Sequence, residues 1–194
     1  MRRYYKIQIA ILIIFPILAT AAWASMPADY DTVRLMLTAP DNQDMSMFDV
    51  ETLVGVLVDI AMNDDPDAAY HDTVVSSALK WLGSMHAEEA VEPLIANIED
   101  YTTTCIYWLG TYASPDGVDA IVSMLESNEE SVRYEAAVAL STLPEGDLDN
   151  EEWVEALNGA LAKMMTVGQG ISTDDEFAEV MSGAVTHIWY MLEQ

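Results

Sequence analysis

Ala78-Leu79-Lys80-Trp81-Leu82-Gly83 returns 27 residues later as Cys105-Ile106-Tyr107-Trp108-Leu109-Gly110, and again 31 residues on as Ala136-Ala137-Val138-Ala139-Leu140-Ser141. A weaker fourth copy is Ala184-Val185-Thr186-His187-Ile188-Trp189. A small residue, an aliphatic, two variable positions and a branched aliphatic share one face of a 3.6-residue helix. The small residue lets a neighbouring helix come close. Between these copies runs a second pattern, a valine followed by aliphatics three and seven residues on. It occurs as Val50/Leu53/Leu57, Val91/Leu94/Ile98, Val118/Ile121/Leu125 and Val154/Leu157/Leu161. Its starts lie 41, 27 and 36 residues apart. Two helix types, A and B, therefore alternate, four of each, and stacked units would bury the apolar faces that no single unit can bury alone.

The punctuation fits that division. Asp64-Asp65-Pro66-Asp67 separates the first A from the first B helix, and Ser114-Pro115 supplies a cap and an N1 proline. Pro144-Glu145-Gly146 follows the third B helix, with Asp149 or Asn150 as the next cap. Thr173-Asp174-Asp175-Glu176 has the form of a capping box. Tyr30 to Thr38 predicts a short helix, followed by a polar loop through Asp41-Asn42-Gln43-Asp44. No stretch alternates with period two, which predicts no sheet.

Ser131-Val132-Arg133-Tyr134-Glu135-Ala136-Ala137-Val138-Ala139-Leu140 resembles the B-helix signature of HEAT repeats, in particular the short bacterial type related to phycobilisome-lyase repeats. Trp81-Leu82-Gly83 and Trp108-Leu109-Gly110 match its Ala-Leu-Gly ending with tryptophan in place of alanine. The valine-arginine pair occurs in the third copy alone, Val74-Val75 and Tyr101-Thr102 standing at the equivalent places. The resemblance covers residues 49–192. It implies an all-α solenoid of about four hairpins, a right-handed superhelix with B helices on a concave inner face. It implies no chemistry.

The first residues read differently. Arg2, Arg3 and Lys6 precede a continuous apolar run from Ile9 to Ala21, and Ala22-Trp23-Ala24 closes it in an A-x-A pattern. A spanning helix needs about 20 apolar residues, and this run is shorter, with Pro16 inside it. The expected organisation is a signal peptide over 1–24, an N-terminal cap and loop over 25–48, and the solenoid over 49–194. Cleavage after Ala24 would leave a protein without stable membrane insertion, periplasmic or secreted. Retention as an anchor is the alternative.

Charge narrows the function classes. The 194 residues carry 33 acids against seven lysines and arginines, a formal charge of −26. No acid precedes Asp29, so the remainder opposes those 33 acids with Arg34, Lys80, Arg133 and Lys163, giving −29. Hydrophobic content of 52% excludes acidic disorder. So few cations exclude a nucleic-acid partner held through phosphates. One cysteine excludes an intrachain disulfide framework. A saline exterior and a basic protein partner both suit such a balance.

Helical spacing places Val75, Ala78, Leu79 and Leu82 in the core of the first B helix, and Thr102, Cys105, Ile106 and Leu109 in that of the second. Cys105 then replaces an alanine in a packed column, with no basic neighbour to activate it. Trp81 and Trp108 sit about 120 degrees off the core direction at 100 degrees per residue. Their equivalent positions put them near each other, either as packing between repeats or as an aromatic wall with Tyr107 and Tyr134. Lys80, Tyr107 and Val138 form the outward column, with Ser76, Thr103 and Tyr134 a turn earlier. A partner-binding site is expected there, at Lys80, Trp81, Tyr107, Trp108 and Tyr134.

Other chemistry is poorly supplied. Asp147, Asp149 and Glu151 alternate like calcium ligands, yet the required glycine falls at Glu152 and the closing glutamate at Asn158. Asp64, Asp65, Asp67, His71 and Asp72 read as a turn and an acidic first turn rather than an ion site. His71, His86 and His187 form no paired zinc motif. No nucleophile elbow or phosphate loop is present, and Gly168-Gln169-Gly170 lacks the third glycine of a dinucleotide fingerprint. The expectation is a non-catalytic interaction module without metal or cofactor. A divalent-cation-binding or cation-stabilised envelope protein is the alternative, and a chromophore-lyase-like enzyme is disfavoured by the export signal.

Overall fold

The computed structural model describes residues 26–39, 44–169 and 176–194. The expected signal peptide, most of the 41–44 loop and the capping-box residues Thr173 to Asp175 lie outside those residues. Packing divides the chain into two units, one through Val56 and one from Leu57.

In the first unit, α1 (Tyr30–Leu37) is the short helix expected there. Asp29 caps it by accepting from the Thr32 amide at 3.0 Å, which holds its carboxyl below the usual range. Asp44 caps a 3₁₀ turn, Met45–Met47, in the same way. Met26 pairs with the 47–49 backbone through two amide bonds of 2.9 Å. The next helix, α2 (Val50–Asn63), starts in this unit and ends in the second. Here the sequence pattern needs correcting, because Val50 is 65% exposed. The buried stripe is Leu53, Leu57 and Ile60, flanked by Val54 and Ala61. Val50 is the first helical residue, a turn ahead of where the core begins.

The second unit continues with α3 (His71–Met85), a 3₁₀ turn Glu88–Ala90, α4 (Val91–Ala96), α5 (Thr102–Leu109), α6 (Pro115–Met124), α7 (Glu130–Ser141), α8 (Glu151–Gly168) and α9 (Glu176–Leu192). Among the described residues there is no strand. The A helices α4, α6 and α8 pack in succession, as do the B helices α3, α5, α7 and α9. Hairpin partners α4/α5, α6/α7 and α8/α9 join the two layers. This is an all-α, HEAT-like solenoid.

Local chemistry explains the boundaries. Ser114 accepts from the Gly117 amide with Pro115 at N1, and Asn150 rather than Asp149 caps α8, accepting from Glu152 and Trp153. Asp147 and Asp149 build the turn before that cap, the Asp149 amide donating to Asp147 Oδ1 at 3.0 Å. Asn97 ties the A layer together, its Nδ2 donating to Ala61 O at 3.0 Å and Pro93 O at 2.9 Å. Lys163 of α8 pairs with Glu126 beyond α6. In α8 the buried face is Trp153, Ala156, Leu157, Ala160 and Met164. Val154 and Leu161, the ends of the expected stripe, are only half-buried, each one residue past a buried position, Trp153 and Ala160.

Candidate functional site

The B helices carry their cores as their spacing dictates: Val75, Ala78, Leu79, Leu82, Cys105, Ile106, Leu109, Ala136, Ala137, Leu140, Ala184 and Ile188 are all buried. Thr102 is half-buried instead, since it opens α5. Burial pushes the Cys105 thiol up to about 12, so it stays protonated and inert as a nucleophile.

Number the six residues of each repeated motif in order. A Cβ added to the sixth-position Gly83 would stand 2.2 Å from Trp108 Cγ, and Trp108 is the fourth residue of the next copy. A Cβ on Gly110 would stand 3.0 Å from the Cβ of Ala139, again the fourth residue of the following copy. In the last pair, the fourth-position His187 bonds through Nε2 to Leu143 O at 2.9 Å, just past Ser141. At Gly83 and Gly110 the B helix thus offers a bare edge at position six, and the next B helix lays its position-four residue, Trp108 or Ala139, across it. Trp108 packs between repeats in this way, with Tyr107 edge-on at 4.8 Å and His86 at 6.3 Å.

Where the fourth residue shrinks from tryptophan to Ala139, space opens. A cavity of about 730 Å³ lies between α5 and α7 on the B-layer face, lined by Thr103, Ile106, Tyr107, Gly110, Thr111, Tyr134, Glu135, Val138, Ala139, Thr142 and Pro144. Of the five residues expected to bind a partner, Tyr107 and Tyr134 line it. Tyr107 is 62% exposed. Lys80 is exposed and Trp81 half-buried on α3, and neither belongs to this lining. Trp108 is absent from it too, because its indole is turned onto Gly83. The outward column Thr103, Tyr107, Tyr134 and Val138 does converge here.

The electrostatics of the cavity are simple. Its wall is mainly apolar, and the Oε2 of Glu135 is buried with no hydrogen-bond partner among the described residues. The Tyr134 hydroxyl lies 3.4 Å from Glu176 Oε1, and that negative charge, then burial, raises its pKa. Arg133, the arginine of the HEAT-type signature, donates to Ser127 O at 2.8 Å and lies 6.0 Å from the Phe177 ring. It ties α7 to its preceding turn and to α9, away from the cavity.

Among the described residues, no group of three or more histidine, cysteine or acidic side chains is placed to hold a metal ion. Within the Asp64–Asp72 segment, His71 Nδ1 bonds the buried Asp64 carboxylate at 2.9 Å, and Asp72 accepts from the Tyr101 hydroxyl at 3.3 Å. Those bonds pin the start of α3. Burial, then the charge of Asp72, pushes the Tyr101 hydroxyl up to about 12. No helix among the described residues is long and apolar enough to cross a membrane.

Sequence reasoning missed Glu135, Gly110, Thr142 and Pro144 as parts of the wall. The signal for Gly110 and Ala139 was present, since both are small residues in motif columns that hold tryptophan elsewhere. What was lacking was the pairing of position six with position four.

Comparison with known proteins agrees with this geometry. No curated protein matches the chain. A family model described as PBS lyase HEAT-like repeat matches residues 74–100, from α3 through α4. That stretch is a different copy from Ser131–Leu140, which alone carries the valine-arginine pair of the signature. After α7 the chain wanders through residues 142–150 before the next A helix, whereas α3 leads to α4 through a short 3₁₀ turn. HEAT-like repeats are in general a non-catalytic scaffold for protein interaction. The matched repeat and the stacked hairpins together support a HEAT-like, all-α repeat architecture for this chain.

Proposed function

We propose that this chain is an exported, strongly acidic, non-catalytic interaction module that holds a protein partner on its B-layer face, between α5 and α7. The observation that carries the reading is the apolar cavity beside exposed Tyr107, with Tyr134 and Val138 in its wall. Aromatic anchors in desolvated pockets dominate binding energy at protein interfaces. The acidic balance of the chain favours a basic partner. Export rests on the Arg2, Arg3 and Lys6 cations, the Ile9–Ala21 run and Ala22-Trp23-Ala24, and places the module in the periplasm or outside the cell.

Ala139→Trp is the decisive variant, because it would give this interface the indole that Trp108 supplies one repeat earlier. With a photo-crosslinking residue at Val138, the unsubstituted protein should capture a discrete partner from the native envelope fraction, with or without chelator. Ala139→Trp should lose that capture while keeping its helical circular dichroism. Undiminished capture by the filled variant refutes the site, and capture abolished by chelator would turn the reading toward a cation-dependent protein. Mass spectrometry of the exported form should find Ser25 at its N-terminus.

A further inference from the structure

A second groove lies on the other layer. It has a volume of about 1000 Å³ and is formed by the end of α2, the 3₁₀ turn with α4, and α6. Val58, Met62, Val91, Ile95 and Ala120 supply apolar surface, and Met62 is 41% exposed. Around it stand five exposed carboxylates, Glu88, Glu89, Glu92, Asp116 and Asp119. Neither lysine nor arginine lines it. The cations of the second unit are engaged or placed elsewhere: Lys163 on Glu126, Arg133 on Ser127 and Phe177, and Lys80 on a B helix.

We infer that this A-layer groove is a docking site for a cationic amphipathic segment of a partner, its apolar stripe on Met62 and Ile95 and its lysines or arginines toward the five acids. The apolar surface calls for an apolar stripe, and the rim calls for positive charge on both sides of it. Two other occupants fit worse. The acids do not gather into a group able to hold a metal ion, so the countercharge has to be spread along the groove. A second copy of this chain would bring a net charge of −26 against the same rim. The inference stands apart from the B-layer reading, since the two grooves share no residue.

The test uses the purified chain and three fluorescein-labelled 18-residue peptides. One is a leucine–lysine amphipathic helix, one the same composition shuffled to remove the apolar face, and one the amphipathic pattern with glutamate for lysine. By fluorescence anisotropy the first should bind saturably, and the other two at least about tenfold more weakly, the size expected for losing one of two matched features. Glu88→Gln/Glu92→Gln/Asp119→Asn should weaken the first peptide about tenfold. Glu155→Gln/Glu179→Gln/Glu193→Gln removes equal charge from exposed positions elsewhere and should change it by less than about threefold. Circular dichroism confirms that each variant is folded. Equal binding of the shuffled peptide, or equal weakening by the two triple variants, overturns the proposal by reducing it to net charge. Binding that survives the groove triple and vanishes in Ala139→Trp overturns it in favour of the B layer. Self-association in sedimentation that the groove triple abolishes would assign the groove to a second copy and overturn it too. Should Ala139→Trp lose its partner while peptide binding persists, this inference stands whatever becomes of the B-layer site.

Discussion

Gly83→Ala tests the nesting of one B helix on the next. The new Cβ would stand 2.2, 2.3 and 2.7 Å from Trp108 Cγ, Cδ2 and Cδ1, against about 3.5–4.0 Å for carbon atoms at rest. The indole would have to retreat by more than about 1 Å as a rigid plate, with Tyr107 and His86 already against it. Overpacking of this kind costs about 3 kcal/mol at the upper end of its range. Alanine in place of a helical glycine returns up to about 1 kcal/mol, leaving a net loss of about 2 kcal/mol. For a domain of this size each kcal/mol moves Tm by about 2–4 °C, so thermal denaturation should show a fall of roughly 4–8 °C. Gly159 and Gly183 are the controls, for a Cβ there meets nothing within 4 Å. Their alanine variants should gain about 0.5–1 kcal/mol. Trp108→Ala should remove the extra cost of Gly83→Ala, giving a measurable coupling in the double-mutant cycle. If Gly83→Ala raises Tm alongside Gly159→Ala, the close approach is not there and the account of the cavity fails with it.

Three further outcomes follow from charge and burial. Raising NaCl from low concentration to about 1 M should raise Tm, because screening over about 3 Å relieves repulsion among the acids; a flat or falling trend would show them already neutralised. Burial sets the Tyr101 and Tyr112 hydroxyls and the Cys105 thiol at about 12, above their ordinary values of 10.0, 10.0 and 9.0. The unfolded chain then releases these protons first, so stability should fall from about pH 9 toward pH 12, and urea titrations across that window should show it. A thiol reagent at pH 8 should label Cys105 only as fast as the helices open, at a rate that climbs with urea.

The hairpin order was legible because periodicity and punctuation are local. Ser114-Pro115, Asn150 and the Ala-Leu faces each announce themselves within a few residues. The same locality explains the errors. Val50 keeps the spacing of its stripe, yet a stripe does not say at which turn burial begins. Spacing sets Trp108 off the core direction, but choosing between wall and packing requires the neighbouring Gly83. The B-layer cavity arises from what Ala139 lacks, set against an interface 29 residues away at Gly110. The A-layer rim draws Glu88, Glu89, Glu92, Asp116 and Asp119 from two repeats, and in the sequence they are only part of a general excess of acid.

The sixth position of the repeated motif runs from bare Gly83 and Gly110 through Ser141 to Trp189 in α9, a residue 54% exposed. A helix approaching that edge as Trp108 approaches Gly83 would meet an indole instead of bare backbone, so position six of α9 presents a different surface from Gly83 and Gly110.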